Sequence, residues 1–255
     1  MSDEWMPTIR LPMTKDAFGQ LPRNSAYRYE YMGREAFLSP RPKHYHVSCR
    51  LTPSPISGMV DCRAARLGDL CRLVPLFANC FKHIQPFGSL DEETRERASR
   101  AALERTYAGG DGPLIEQASF IAWQAEVAIG CVLITLLPGG HPSELSSYHW
   151  QETPPEDCIE RRVGQPHLTW IFVEPGQAGN GIGSTLLGIS ANSLLELGYS
   201  ELLSTFMIGN DSSMLWHWRN GFRLLAHPQS TRPSETHALR PDSTESPSTS
   251  ITEIR

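Results

Sequence analysis

"HLTWIFVEPGQAGNGIGSTLLGISANSLLELG", residues 167 to 198, decides the fold. Its first seven residues are rich in β-branched and aromatic types and stop just ahead of Pro175, the pattern of a buried strand. Beyond the glycines, Leu187, Ala191, Leu194 and Leu195 fall at three-and-four spacing until Gly198. That periodicity predicts an amphipathic helix closed by a glycine cap. Between the two lie Gly176, Gly179, Gly181 and Gly183. A strand, a glycine turn and a helix N-terminus gather unpaired N–H groups and a positive dipole end at one point, which is the chemistry of an anion site. Glycine also lets a phosphate come close to the backbone. A tight turn that holds no ligand would use the same residues.

Two kinds of phosphate loop are excluded by what the turn lacks. A P-loop needs Gly-Lys before Ser or Thr, and no lysine is present. A dinucleotide loop needs a third glycine where Ser184 stands and an acid closing the next strand, where "ELLSTFMI" leads instead to Asn210. The run "VEPGQAGNGIGSTLL" resembles the acyl-CoA pyrophosphate loop of the GNAT superfamily of N-acetyltransferases. "IGNDSSMLWHWRNGFRLL", residues 208 to 225, is similar to that family's later motif, in which an Asn opens a helix that ends in Gly-Phe, here Asn210, Gly221 and Phe222. The resemblance spans roughly residues 58 to 227.

The resemblance implies an α/β (α+β) fold: a mixed, mostly antiparallel sheet with helices on both faces and a splayed central strand pair. It implies acetyl-CoA as co-substrate, no metal, and an amine acceptor, either a small molecule or a protein. The pantetheine arm would pair with the backbone of Ile171, Phe172 and Val173, and Asn210 would touch it. The pyrophosphate would rest on Gly179, Asn180, Gly181, Ile182, Gly183 and Ser184. The family's usual Arg or Gln position is Ala178 here, with Gln177 one residue early and able to assist.

Acyl transfer to an amine needs a base for the nucleophile, polarisation of the carbonyl and a proton for the departing thiolate. Where many family members carry a tyrosine acid, this chain has His217 between Trp216 and Trp218. It reads either as the acid or as part of a helix packing two tryptophans. Glu174, at the end of the strand, reads either as a base or as a carboxylate facing solvent. His83 and Phe87, in "KHIQPFG", are acceptor contacts or plain loop residues. His149 and Trp150 lie in a long excursion, residues 139 to 166, which reads as a recognition flap because structureless loops of that length are uncommon inside a domain. A non-catalytic acyl-CoA-binding module is the alternative to an enzyme.

Composition agrees with a folded enzyme. The 255 residues are 40% hydrophobic, enough for a sizeable core, and the net charge of −5 gives no electrostatic footprint for nucleic acid. The six cysteines have no C-x-x-C spacing and read as reduced thiols. There is no apolar run of membrane-spanning length, and the start, "MSDEWMPTIR", lacks the apolar stretch of a signal peptide. The expectation is a cytoplasmic protein without membrane partners, with a homodimer among the assemblies it could form. Four parts follow along the chain: a hairpin-containing segment (1–46), a linker (47–58), the acyltransferase domain (59–228) and a tail rich in Ser, Thr and Pro (229–255). Tyr27, Tyr29 and Tyr31 alternate into the turn at Gly33, which marks the hairpin. The helix after "KHIQPFG" is expected to open on Ser89 with Glu92 as its capping-box partner.

Overall fold

A computed structural model describes residues 9–22, 27–40, 44–55, 60–84, 86–140, 150–207 and 210–225. The tail expected beyond 228 lies outside them. The chain folds into two sheets. The smaller has three antiparallel strands: β1 (Ile9–Pro12), β2 (Tyr27–Met32) and β3 (Glu35–Pro40), in the order β1-β3-β2. Its β2–β3 turn carries positive φ at both central residues, Gly33 and Arg34, as a two-residue hairpin turn requires. The alternating tyrosines are used at this sheet's edge. Tyr29 donates to the Pro22 carbonyl, and Tyr31 donates to that of Met13 beside the short helix α1 (Lys15–Gln20).

The larger sheet supports everything that follows. Its strands are β4 (His44–Arg50), β5 (Asp61–Ala64), β6 (Phe120–Gln124), β7 (Val127–Leu137), β8 (Gln165–Val173), β9 (Glu201–Met207) and β10 (Arg223–Leu224), in the order β10-β4-β9-β8-β7-β6-β5. Every neighbouring pair is antiparallel except β8 and β9. Helices α2 (Leu70–Cys80) and α3 (Glu92–Tyr107) cover one face; α4 (Ile182–Glu196) covers the other, and α5 (Asp211–Arg219) follows β9. The expected mixed, mostly antiparallel sheet with helices on both faces is therefore present.

Each face has its own core. Leu73, Val74 and Phe77 of α2 and Leu103 of α3 pack on Ile121, Cys131 and Leu133. Leu186, Leu187, Ala191 and Leu194 of α4 pack on Val132, Ile134, Leu168 and Leu202. Strand β7 serves both faces, and ten of its eleven residues are buried, which is why it reads as a continuous apolar run rather than an alternation.

Three boundaries differ from the sequence reading. Residues 44 to 50, split there between hairpin segment and linker, form β4, which lies between β9 and β10 with its full length paired to β9. Its buried alternation is short: only Val47 and Cys49 are buried, with Tyr45 half-buried on the same face. Helix α3 opens on Asp91, whose carboxylate accepts from the Thr94 N–H, while Ser89 closes a preceding turn. Residues 150 to 164 are pinned on the α4 face instead of hanging free. Trp150 Nε1 donates to the Leu136 carbonyl, Tyr199 donates to that of Ile159, and Cys158 is buried.

Because Val47 is fully buried between two strands, Val47→Asp would place an unpaired charge in the sheet. Loss of at least about 3 kcal/mol is expected. Urea unfolding of that variant checks whether β4 belongs to the cooperative unit; an unchanged midpoint would mean that it does not.

Candidate active site

The site begins with a defect in strand pairing. Strand β8 pairs with β7 along its whole length, but the register slips between Leu133 and Ile134, leaving Thr169 as an extra residue on β8. A bulge of this kind bends a strand and increases its twist. On its other side β8 pairs with β9 only at His167 and Leu168. From Thr169 onward the two parallel strands part, so the expected splayed pair is found and has a local cause. The parted strands open a cavity of about 890 Å³.

Ile171, Phe172 and Val173 line this cavity, as do Gly183 and Asn210. These five belong to the group that the sequence assigns to a cofactor. The others, Gln177, Gly179, Asn180, Gly181, Ile182 and Ser184, form the turn beyond the end of β8 and the first turn of α4 rather than the cavity wall. There Gly179 and Gly181 have φ of +86° and +78°, and Gly181 is the N-cap of α4. Nothing crowds either glycine, so these positions need glycine for its left-handed backbone and not for space. Gly183 differs: a Cβ there would meet the Trp216 indole nitrogen at 3.0 Å, so α5 leans directly on the first turn of α4. The side chain of Ile182 points into the core, which leaves only its backbone for a ligand. Gln177 is used internally, its amide donating to Gln124 and its oxygen accepting from Asn180.

The exposed turn with the first-turn N–H groups of α4 fits a pyrophosphate, because those donors have no partner within the helix. The parted edge of β8 next to it fits an extended amide-bearing arm, as an added strand would. Asn210 caps α5 through the Ser213 N–H and also faces the cavity. Among the described residues no group of three or more His, Cys, Asp or Glu could hold a metal ion.

His217 does not sit as a free acid. It is 2% exposed, with Nδ1 2.7 Å from the Ser213 carbonyl and Nε2 2.8 Å from the Ser204 hydroxyl. A carbonyl only accepts, so Nδ1 carries the hydrogen and Nε2 accepts from Ser204. Burial lowers its pKa to about 4, against a partial rise from the Ser213 contact. The ring is neutral near pH 7 and stacked against Phe206, 4.7 Å between centroids. His217 and Ser204 both line the cavity, with the Ser204 hydroxyl held against the ring nitrogen that accepts.

Glu174 follows β8 but is not part of the cavity lining; its carboxylate accepts from Asn79 Nδ2 at 2.8 Å, between α2 and the strand end. Its charge, after burial, helps push the Cys80 thiol up to about 12, and that thiol donates to the Val173 carbonyl. Phe87 lines the cavity, buried beside Phe77 and Phe81. His83 is exposed and outside it. Trp150 is part of the packing on the α4 face, away from the cavity, because its indole is committed to Leu136. His149 lies outside the described residues. The flap's acids Glu152, Glu156 and Asp157 are likewise not in the lining.

Several lining residues carry no sequence signal of their own. A half-buried polar chain runs from His46 Nδ1 through Thr205 Oγ1 to His167 Nε2, and from His167 Nδ1 through Thr169 Oγ1 to Thr135 Oγ1. Burial, helped by His46 and His217, depresses the His167 pKa to about 3. His167 and Thr169 sit two apart in the strand on either side of the slip in register, with Thr169 the bulged residue. Trp170 is fixed by its indole N–H donating to Thr106.

No protein-family model and no curated protein sequence matches this chain. Solved structures similar to it include the PaiA N-acetyltransferase of Thermoplasma acidophilum in complex with coenzyme A, at 16% identity over 64% of this chain and 89% of that one, TM-score 0.45. A GNAT family acetyltransferase of Brucella melitensis in complex with acetyl-CoA is 16% identical over 67% of this chain and 89% of its own, TM-score 0.43. A GCN5-related N-acetyltransferase of Sphaerobacter thermophilus is 12% identical over 86% of this chain and 56% of that one, TM-score 0.47. At such identities and scores, what the site can hold has to be read from its own residues.

Proposed function

We propose that this chain transfers an acetyl group from acetyl-CoA to an amine in one direct step. The carrying observation is the parting of β8 from β9 after Leu168, which joins an unpaired strand edge to a glycine turn at a helix N-terminus. That combination suits a ligand with an amide-rich arm and a pyrophosphate.

Within the cavity Ser204 and His217 form the pair with chemistry to offer. As the amine nitrogen attacks the thioester carbon, its proton passes to the Ser204 oxygen while the Ser204 hydrogen moves to His217 Nε2. On collapse the C–S bond breaks and the proton returns by the same route to sulfur, giving amide and free thiol. A hydroxyl held against a base that a third group orients is the usual arrangement for such transfers. The Ser213 carbonyl is that third group, since it fixes which nitrogen of His217 accepts. The Nδ1–H stays on the ring throughout. Glu174 would act on the acceptor from outside the cavity.

Titration of acetyl-CoA in a calorimeter tests the first half of the proposal, and one saturable site per chain is expected. Thiol release with amine acceptors tests the second. Ser204→Ala should lower kcat by about 10² or more with KM for acetyl-CoA nearly unchanged. Saturable binding with no thiol release from any amine would favour the non-catalytic module, a reading to which the weak basicity of His217 lends support.

A further inference from the structure

The wall of the cavity on the α2–α3 side is unusual in what it contains. Phe81, Phe87 and Trp170 stand in mutual contact there, with centroids 5.5 to 6.5 Å apart. Phe172 lies behind Phe81 at 6.3 Å, and Ala98, Ala101 and Ala102 line the cavity from α3. The titratable side chains among the described lining residues are Arg105, His44, His167, His217 and Cys80. No Asp or Glu is among them. The Arg105 charge is matched by Asp111 at 2.6 Å.

We infer that the amine acceptor is a monoamine of low basicity carried on a flat aromatic body, the arylamine class, and that polyamines and amino sugars are excluded. This rests on the acetyl-transfer reading above and narrows its acceptor. An amine with several ammonium groups would have to bury charges with no carboxylate among the described lining residues to meet them, at a cost of several kcal/mol each. The aromatic wall offers stacking to a ring, and edge-to-face partners add to the burial of its area. An arylamine arrives already neutral at pH 7, so nothing in the cavity has to remove a proton before attack. The histidines agree with this, because burial lowers the pKa of His44, His167 and His217 alike. A weak base such as His217 is matched to the far more acidic N–H that appears only after attack.

The test is thiol release from acetyl-CoA by the full chain with four acceptors: 4-methoxyaniline, 2-phenylethylamine, spermidine and kanamycin. The arylamine is expected to turn over with kcat/KM nearly flat from pH 6.5 to 9. If phenylethylamine turns over, its kcat/KM should rise about tenfold per pH unit over that range, since only its neutral form reacts. Spermidine and kanamycin should give no release above the rate of hydrolysis. Ala101→Asp, at the exposed end of the α3 wall, should shift the preference toward phenylethylamine by about tenfold. Turnover of spermidine or kanamycin at or above the arylamine rate overturns the inference. So does a chain that binds acetyl-CoA but turns over no arylamine. Failure to bind acetyl-CoA at all would instead remove the reading on which it rests.

Discussion

Between pH 6.5 and 4 this protein should lose most of its stability. His217 and His167 are held neutral by burial, with pKa values brought down from 6.5 to about 4 and about 3. In the unfolded chain both bind a proton below pH 6.5, and in the folded chain neither does until well below that. The unfolded state therefore binds more protons across this window, and stability falls as the pH falls. It is fully present above pH 6.5; the His217 share is spent by about pH 4 and the His167 share by about pH 3. At about 1.4 kcal/mol per pH unit of displacement, the two rings together account for several kcal/mol. Domains are commonly stable by only about 5–15 kcal/mol, so the effect is large. Urea unfolding at pH 7, 6, 5 and 4.5 measures it. His217→Gln, which keeps a hydrogen-bonding side chain but cannot titrate, should flatten the profile by its own share. A wild-type midpoint that does not move between pH 7 and 4.5 contradicts the buried, neutral state of these rings.

Gly181→Asp should abolish measurable acetyl-CoA binding while leaving the chain folded. The position has φ of +78°, which costs a residue with a Cβ about 1–2 kcal/mol, though Asp is among the less penalised. A carboxylate at the N-cap would also accept from the first-turn N–H groups of α4, taking the donors meant for the phosphates. Its charge would repel what remained. An affinity loss of at least about 100-fold is expected, about 2.7 kcal/mol. Calorimetric titration beside a melting curve separates lost binding from lost folding. Gly181→Asn, equally strained but neutral, should lose clearly less. Equal affinity for wild type and Gly181→Asp would move the anion site elsewhere.

Most of the larger sheet's central architecture was legible because its causes are local. A β-branched run, a proline, glycines with left-handed backbone and a three-and-four apolar repeat each act within a few residues. So the strand, turn and helix from His167 to Gly198 read correctly, as did the cap on Asn210. What stayed hidden depends on partners distant in the chain. His217 as a proton donor and His217 as a buried, doubly bonded ring look identical until Ser204 and Ser213 are placed around it. The Trp150 indole donates to the Leu136 carbonyl, a partner that no local pattern in the sequence announces. The cavity wall is scattered over α2, α3, β8 and β9, and no periodicity links Phe81 to Trp170. Strand β4 was missed for a related reason: "HYHVSCR" offers only two buried apolar residues, and its polar ones are satisfied by a strand it meets only after folding.

That late meeting has a cost in time. Strand β4 is made early, yet its partner β9 lies about 160 residues further along, and β10 further still. Closing so long a loop is entropically slow, and contacts of large sequence separation are the ones that delay folding. While synthesis proceeds, β5 to β8 can pair with near neighbours, but β4 must wait with Val47 and Cys49 uncovered. Once β9 emerges, its outer edge is in turn open to any strand until β4 docks. A nascent chain in this condition is most exposed to aggregation in the interval before β4 docks on β9. The same topology ties the first fifth of the chain to the last, so the finished sheet is latched by its latest pairing.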